Sequence, residues 1–371
     1  MGIASIKIQN FKSIREADIE LGKLNILIGA NGAGKSNFIG FFKFLKNLYD
    51  ENLSFYVSKN GRAENFLYFG SKKSKFLSGK VILNNNYKSE FYFKLEPDLS
   101  GNFIFSDDRF NLNNDDYKVE KWEDLRFVGH TNVSGSQESI LKVRIEMLDN
   151  HYKDILTFFS TLRTFHFNDT SFEASVKKPA NLIDYSFLRE DGSNIAAFLY
   201  RLQESSFKSF KLIERVVQSV APFFDKFILK PDEINNQQIF LRWFEKGSDK
   251  LFTAHNLSDG TLRFICLATL LLQPELPEII IIDEPELGLH PFAISKLASM
   301  LKIAANTSQV IVSTQSVNLV NEFSADDIIV VDRKDEQSVF SRQSKEKLEH
   351  WLENYSLGEL WEKNVLGGLP K

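Results

Sequence analysis

The chain has 371 residues, 43% of them hydrophobic, and a formal net charge of -4. That length allows two domains or one large elaborated one, and the charge argues against a strongly basic nucleic-acid binder while leaving room for a local basic face. A single cysteine, Cys266, excludes an internal disulfide and fits a reducing, cytoplasmic setting; no run approaches the roughly 20 apolar residues of a membrane span.

Ile3 to Phe11 alternates apolar and polar residues, which predicts a half-buried strand. MGIASIKIQNF also lacks the basic-then-apolar layout of a signal peptide. A second strand is expected from Ala17 to Leu21, turning at Gly22-Lys23 into Leu24 to Ile28. That short buried-looking strand runs into GANGAGKS, and an apolar helix follows with Phe38, Ile39, Phe42, Leu45 and Leu48 at helical spacing. Residues 50 to 80 read as loop, punctuated by Gly61, Gly70 and Gly79. Antiparallel strands are expected at Val81 to Leu83, Phe91 to Leu95, Phe103 to Phe105 and Arg126 to Val128.

The pattern then changes to helix. Leu141, Ile145, Leu148, Tyr152, Ile155, Phe159 and Leu162 recur at alternating four- and three-residue steps, which suits a short coiled-coil seam or, more simply, a long amphipathic helix lying on the domain. Further helices are expected over 193 to 204 and 206 to 221. The run from Pro277 to Pro285 holds four isoleucines followed by Asp283 and Glu284, as in a central strand covered on both faces. Strands at Gln309 to Ser313 and Asp327 to Val331 follow, with helix 291 to 305 crossing between the first pair. A charged, helical tail begins at Ser344. The 34 phenylalanines are mostly packing material.

GANGAGKS fits the phosphate-binding pattern G-x-x-x-x-G-K-[ST], here in its strand–loop–helix context. Gly29, Gly32 and Gly34 let the backbone aim successive N–H groups, including those flanking Asn31 and Ala33, at one phosphate. The helix N-terminus adds to that field. Lys35 reaches the β- and γ-phosphates and Ser36 is placed to ligate Mg²⁺.

Three more motifs follow in order. Leu257-Ser258-Asp259-Gly260-Thr261 opens a long apolar helix; it offers a hydroxyl and bare amides to an anion, although alone it reads as a helix cap. Asp283 would hold Mg²⁺ through water alongside Ser36, and Glu284 would polarise the attacking water as general base; the plainer reading is a solvated strand end. Ser313-Thr314-Gln315-Ser316 ends a strand where ligands bind in open α/β sheets, and Gln315 would sense the γ-phosphate or orient water unless it merely forms a turn.

The order GANGAGKSN, LSDGT, IIIIDEPELGLHP and IVSTQS resembles the ABC-type ATPases of the RecF, SMC and OLD branch. In that branch the loop carries an asparagine, as Asn31 here, and another follows the serine, as Asn37 here. Pro285 to Pro291 resembles its D-loop. The resemblance implies an α/β P-loop NTPase with an ABC-ATPase-like mixed sheet, an antiparallel β insertion and a helical lobe. It divides the chain into an N-terminal ATPase lobe over 1–135, a helical lobe over 136–256, the C-terminal part of the ATPase core over 257–343 and a tail over 344–371. It implies ATP and Mg²⁺ as cofactors. It also implies a homodimer or higher oligomer in which each ATP meets one P-loop and the partner's Ser258 and Gly260. Many ABC ATPases carry histidine where this chain has Gln315; glutamine keeps hydrogen bonding but not a cationic role. The Q-loop is expected within Phe165 to Ser171, where His166 is equally readable as a packed histidine.

The interval from Lys35 to Ser258 is too short for SMC coiled coils, a lone cysteine excludes a zinc hook, and the stretch after Val331 is too short for a TOPRIM domain. The chain therefore resembles compact stand-alone RecF-like AAA-family ATPases of bacteria. That implies a dimerising switch in anti-phage defence or DNA maintenance, acting with a separate nuclease-like effector and with DNA or RNA as a candidate ligand. The alternative is the nucleotide-binding subunit of a membrane transporter. In the tail, Trp351, Leu352, Tyr355, Leu357, Leu360 and Trp361 offer a docking stripe for the effector or, equally, pack back on the core, with Gly367-Gly368 limiting the helix.

Overall fold

The computed structural model describes residues 1–85, 88–111, 135–139, 141–146 and 153–368. The chain forms two units, one of Met1–Arg163, Ala325–Tyr355 and Leu360–Lys371, the other of Thr164–Ser324 and Ser356–Glu359.

In the first unit, strand Ile3–Phe11 buries Ile3, Ile6, Ile8 and Phe11. It pairs antiparallel with Ile14–Glu20 on one side and Leu77–Leu83 on the other. Glu90–Pro97 and Phe103–Asn111 extend this into a five-stranded antiparallel sheet. Much of the phenylalanine lies between that sheet and helix Lys35–Tyr49. Phe11 meets Phe41 edge-on at 5.4 Å and Phe44 at 5.7 Å, while Phe93 stacks on Phe41 at 6.2 Å. Each buried ring contributes about 1.5–3 kcal/mol by leaving water, and well-set ring pairs add roughly 0.5–1.5 kcal/mol. A Cβ at Gly79 would stand 2.5 Å from the Phe93 ring and 2.7 Å from Phe41, so the sheet yields its side chain there to the aromatic layer.

A second sheet in this unit is mixed. Leu24–Ile28, buried throughout, runs parallel to Ile328–Val330. Strand Ile328–Lys334 then turns back antiparallel into Gln337–Arg342. The second hairpin strand was not expected, nor was helix Leu53–Lys59 within the supposed loop over 50 to 80. The Glu138 carboxylate caps that helix, accepting from the amides of Leu53 at 2.8 Å and Ser54 at 2.9 Å. The expected strand Arg126 to Val128, and the middle of the heptad pattern at Leu148 and Tyr152, lie outside the described residues; helices Leu141–Glu146 and Lys153–Thr161 flank the latter.

In the second unit, Ile279–Asp283 runs parallel to Gln309–Thr314 and to Thr164–Phe165. Helix Pro291–Ala304 joins the first pair, as the periodicity predicts. Helices Ile195–Ser205 and Phe207–Val220 match the expected ones within two residues of each bound. The stretch expected to be helical over 136–256 also contains a three-stranded antiparallel sheet of Phe224–Phe227, Arg242–Glu245 and Leu251–Thr253. Trp243 anchors it, stacking on Phe224 and Phe252.

The tail is helical at Lys345–Leu352 and Leu357–Glu362. As a docking stripe it needs correction: Leu357, Leu360 and Trp361 are buried within the chain, and of the expected large groups Trp351 (43% exposed) and Tyr355 (38%) are the ones that face solvent.

Candidate functional site

In the first unit, the phosphate-loop sequence has the shape its glycines permit. Gly32 and Gly34 have φ of 77° and 116°, a region that residues with a Cβ rarely adopt. Helix Lys35–Tyr49 starts at Gly34, which has no side chain to cap it. Lys35 is 4% exposed, and its Nζ donates to the carbonyls of Gly29 (2.5 Å) and Ala30 (3.1 Å). The ammonium thus lies folded over the loop, while the side chains of Asn31 and Ser36 are open to solvent.

Behind the loop lies a chain of hydrogen bonds that sequence reading missed. Asn37 Nδ2 donates to Ser13 Oγ at 2.7 Å, the Ser13 and Ser338 hydroxyls are 2.7 Å apart, and Ser338 Oγ donates to the Ala33 carbonyl at 2.6 Å. A Cβ at Gly34 would lie 2.0 Å from Ser338 Oγ, so glycine is required for this close approach. The Asn37 amide, expected at the nucleotide, is here turned to the loop's support. Nothing in the local sequence around Ser13 or Ser338 distinguishes them from ordinary turn serines.

In the second unit, parallel pairing sets Asp283 opposite Ser313, and Ser313 Oγ donates to Asp283 Oδ1. The chain then turns sharply at Glu284, whose φ is 48°, with its amide on the Ser313 carbonyl at 3.0 Å. Gln315 Nε2 donates to Glu284 Oε1. The two acids and two residues of the Ser313–Ser316 motif therefore form one cluster at the carboxyl ends of two adjacent strands.

Glu286 supports that cluster and was not singled out from the sequence. It is 9% exposed and its Oε1 accepts from Thr314 Oγ1 at 2.5 Å and the Gln315 amide at 3.0 Å, while Oε2 has no hydrogen-bond partner. Burial pushes its carboxyl above the ordinary range, and nearby Glu284 adds to the shift.

Ser258 caps helix Asp259–Leu272, accepting from the Thr261 amide at 3.2 Å, and remains exposed. Gly260 is required by the neighbouring turn, since a Cβ there would meet the Gly288 carbonyl at 2.4 Å. On the same helix, buried Arg263 donates to the carbonyls of Phe167 (3.1 Å) and Asn168 (3.2 Å). The guanidinium thereby ties helix Asp259–Leu272 to the segment expected as the Q-loop. Burial holds Arg263 below its ordinary value, offset by Asp259. His166 is exposed, with the Asn168 amide 3.5 Å from its Nδ1. A cavity of about 220 Å³ in this unit, lined by Phe172, Lys177, Phe240 and His255 among others, contains none of the motif residues.

Ser36 in the first unit and Asp283 in the second each carry a hard oxygen donor of the kind Mg²⁺ takes, and among the described residues no group of three or more His, Cys, Asp or Glu side chains could hold a metal ion. Hard oxygen donors in small number, completed by substrate and water, are what Mg²⁺ takes.

Comparison with known proteins agrees with this fold. A family model described as "AAA domain, putative AbiEii toxin, Type IV TA system" matches residues 24–321. The tungstate uptake system ATP-binding protein TupC of Campylobacter jejuni is 29% identical over 93 residues, 24% of this chain and only 24% of that relative's length. Among solved structures, the SMC head bound to the C-terminal winged-helix domain of ScpA has a TM-score of 0.59 at 17% identity, covering 94% of this chain and 100% of that one. An SMC head with an extended coiled coil, bound to the C-terminal domain of ScpA and derived from Pyrococcus furiosus, scores 0.55 at 15% identity over 95% and 98%. At these identities the likeness bears on the fold: an α/β P-loop NTPase with the mixed sheet of SMC heads.

Proposed function

Because the chain belongs to the AAA-domain P-loop ATPase family whose model covers most of it, we propose that it is an ATP-hydrolysing, dimerising switch that drives a separate protein partner. The observation that carries this reading is the cluster of Asp283, Glu284 and Gln315 at two adjacent strand ends. In the proposal Lys35 and the amides of Gly29 to Ser36 hold the triphosphate of ATP. Ser36 and, through water, Asp283 would hold Mg²⁺, which would supply positive charge to the phosphates. Glu284 takes the proton of the attacking water while Gln315 keeps the carboxylate oriented.

Ser258 is exposed at the start of its helix, and this supports its meeting a nucleotide carried by a second copy of the chain. The partner is a separately encoded effector, nuclease-like in chemistry, in anti-phage defence or DNA maintenance, with DNA or RNA as the ligand sensed. The two SMC heads above are each bound to a domain of another protein, ScpA, which supports a protein partner here. The alternative reading, the ATP-binding subunit of a transporter, is favoured by the TupC match; co-purification with a permease in detergent would establish it. No helix among the described residues is long and apolar enough to cross a membrane.

Mixing mutants tests the switch. Ser258→Arg alone should bind ATP yet not hydrolyse it, and Lys35→Ala alone should not bind it. Combined, they leave one composite site intact and should recover part of the activity. Loss of ATP binding by isolated Ser258→Arg monomers would instead place Ser258 in its own subunit's pocket.

A further inference from the structure

We propose that the Gly367–Gly368 turn is a positioning latch for the nucleotide-binding loop, fixing the loop's entry before nucleotide arrives. The Gly368 carbonyl accepts from the Ala30 amide at 2.6 Å. That amide belongs to the Gly29–Ala30 peptide, whose carbonyl accepts from Lys35 Nζ at 2.5 Å. One planar peptide unit is therefore held from both sides, by the latch through its N–H and by the phosphate-binding lysine through its C=O. Rotation of that peptide would break both bonds at once.

The close approach explains the residue types. A Cβ at Gly368 would lie 3.0 Å from Val330 Cγ1 and 3.3 Å from both the Gly29 Cα and the Val331 carbonyl. A Cβ at Gly29 would lie 2.2 Å from that same carbonyl. The backbones of Gly29, Val331 and Gly368 meet here, leaving no room for a Cβ at Gly29 and a tight fit for one at Gly368. Gly367 and Gly368 also have φ of 82° and 81°, consecutive left-handed positions that glycine adopts without strain. The turn is anchored from upstream: Leu360, Trp361 and Leu366 are buried, the Val365 amide donates to the Leu360 carbonyl at 2.9 Å, and the Asn364 amide to that of Trp361 at 2.8 Å.

A loop with three glycines loses much conformational freedom when it closes on phosphate, and a tether formed beforehand lowers that penalty. The latch acts on affinity, through Ala30, and touches no reacting atom. The inference rests on the reading that residues 29 to 36 hold the triphosphate.

The test uses the full chain and its Gly368→Ala variant, with ATP affinity from calorimetry and amide exchange by residue. Gly368→Ala should weaken ATP binding on the order of tenfold. Exchange should quicken over residues 29–36 while strand Ile3–Phe11 keeps its protection; a merely structural glycine would loosen both. A folded Gly368→Ala protein with the parent's affinity and loop exchange overturns the latch. Should that variant not fold, the parent decides: without nucleotide its Ala30 amide must be protected, and free exchange there overturns the proposal. Lys35→Ala separates the premise from the inference. If it keeps the parent's ATP affinity, the loop reading fails; if it loses affinity while Gly368→Ala does not, only the latch fails.

Discussion

Gln315 donates its side-chain amide to Glu284, from the strand end next to the one that carries the acid. Many ABC-type ATPases have histidine at this position, and an imidazolium there would add charge. An amide does not titrate, so what Gln315 offers Glu284 is a hydrogen bond and not a positive charge. Gln315→Ala should lower turnover about tenfold, with ATP affinity within a few-fold of the parent, the loss expected for one hydrogen bond to a charged group. Single-turnover phosphate release measures it. A Gln315→Ala protein with full turnover would show that Glu284 needs no such support.

Glu286 should make stability depend on pH. Burial raises its carboxyl above the ordinary value, so the folded state holds a proton that the unfolded chain releases. Folded protein then binds more protons in the window between the two values, and stability falls as pH climbs through that window. Glu286→Gln retains an acceptor for Thr314 and the Gln315 amide and should flatten this slope. Glu286→Ala leaves both donors unpaired and should cost about 1–3 kcal/mol. Urea unfolding at several pH values distinguishes the two; parallel slopes in the parent and Glu286→Gln would contradict the assignment.

Cys266 should be inert in the folded protein. It is buried, and desolvation pushes its thiol up to about 12. The thiolate is the nucleophile, and burial disfavours it. Iodoacetamide should label the chain in urea and not in native buffer. Rapid native labelling would show that helix Asp259–Leu272 opens readily.

The four motifs were legible because the chemistry they serve is local. Loop glycines, a lysine and strand-end acids must sit at fixed spacings, and strands Leu24–Ile28 and Ile279–Asp283 announce themselves by being apolar but for Asn25 and the terminal Asp283. What escaped depends on partners far along the chain. Helix Leu53–Lys59 begins where Glu138, 85 positions away from Leu53, supplies its cap. Ser13 and Ser338 become loop supports because a hairpin strand, itself too polar to read, brings them together. Gly367-Gly368 read as a helix limit, and only the fold shows its carbonyl on the phosphate loop. The tail left two readings open for a related reason: an apolar group in a charged tail has the same sequence pattern whether it meets a partner or its own chain, and Leu357, Leu360 and Trp361 are buried while Trp351 and Tyr355 are exposed.

The proposed role of Glu284 is to take the proton of the water that attacks ATP held by the Lys35 loop. It is tested most directly by Mg²⁺-dependent phosphate release from the parent and from Glu284→Gln, with ATP binding measured alongside. The parent should release phosphate, and Glu284→Gln should bind ATP as well while turning over at least about a hundredfold more slowly, the scale of general-base catalysis. Equal turnover in the two proteins would contradict the account.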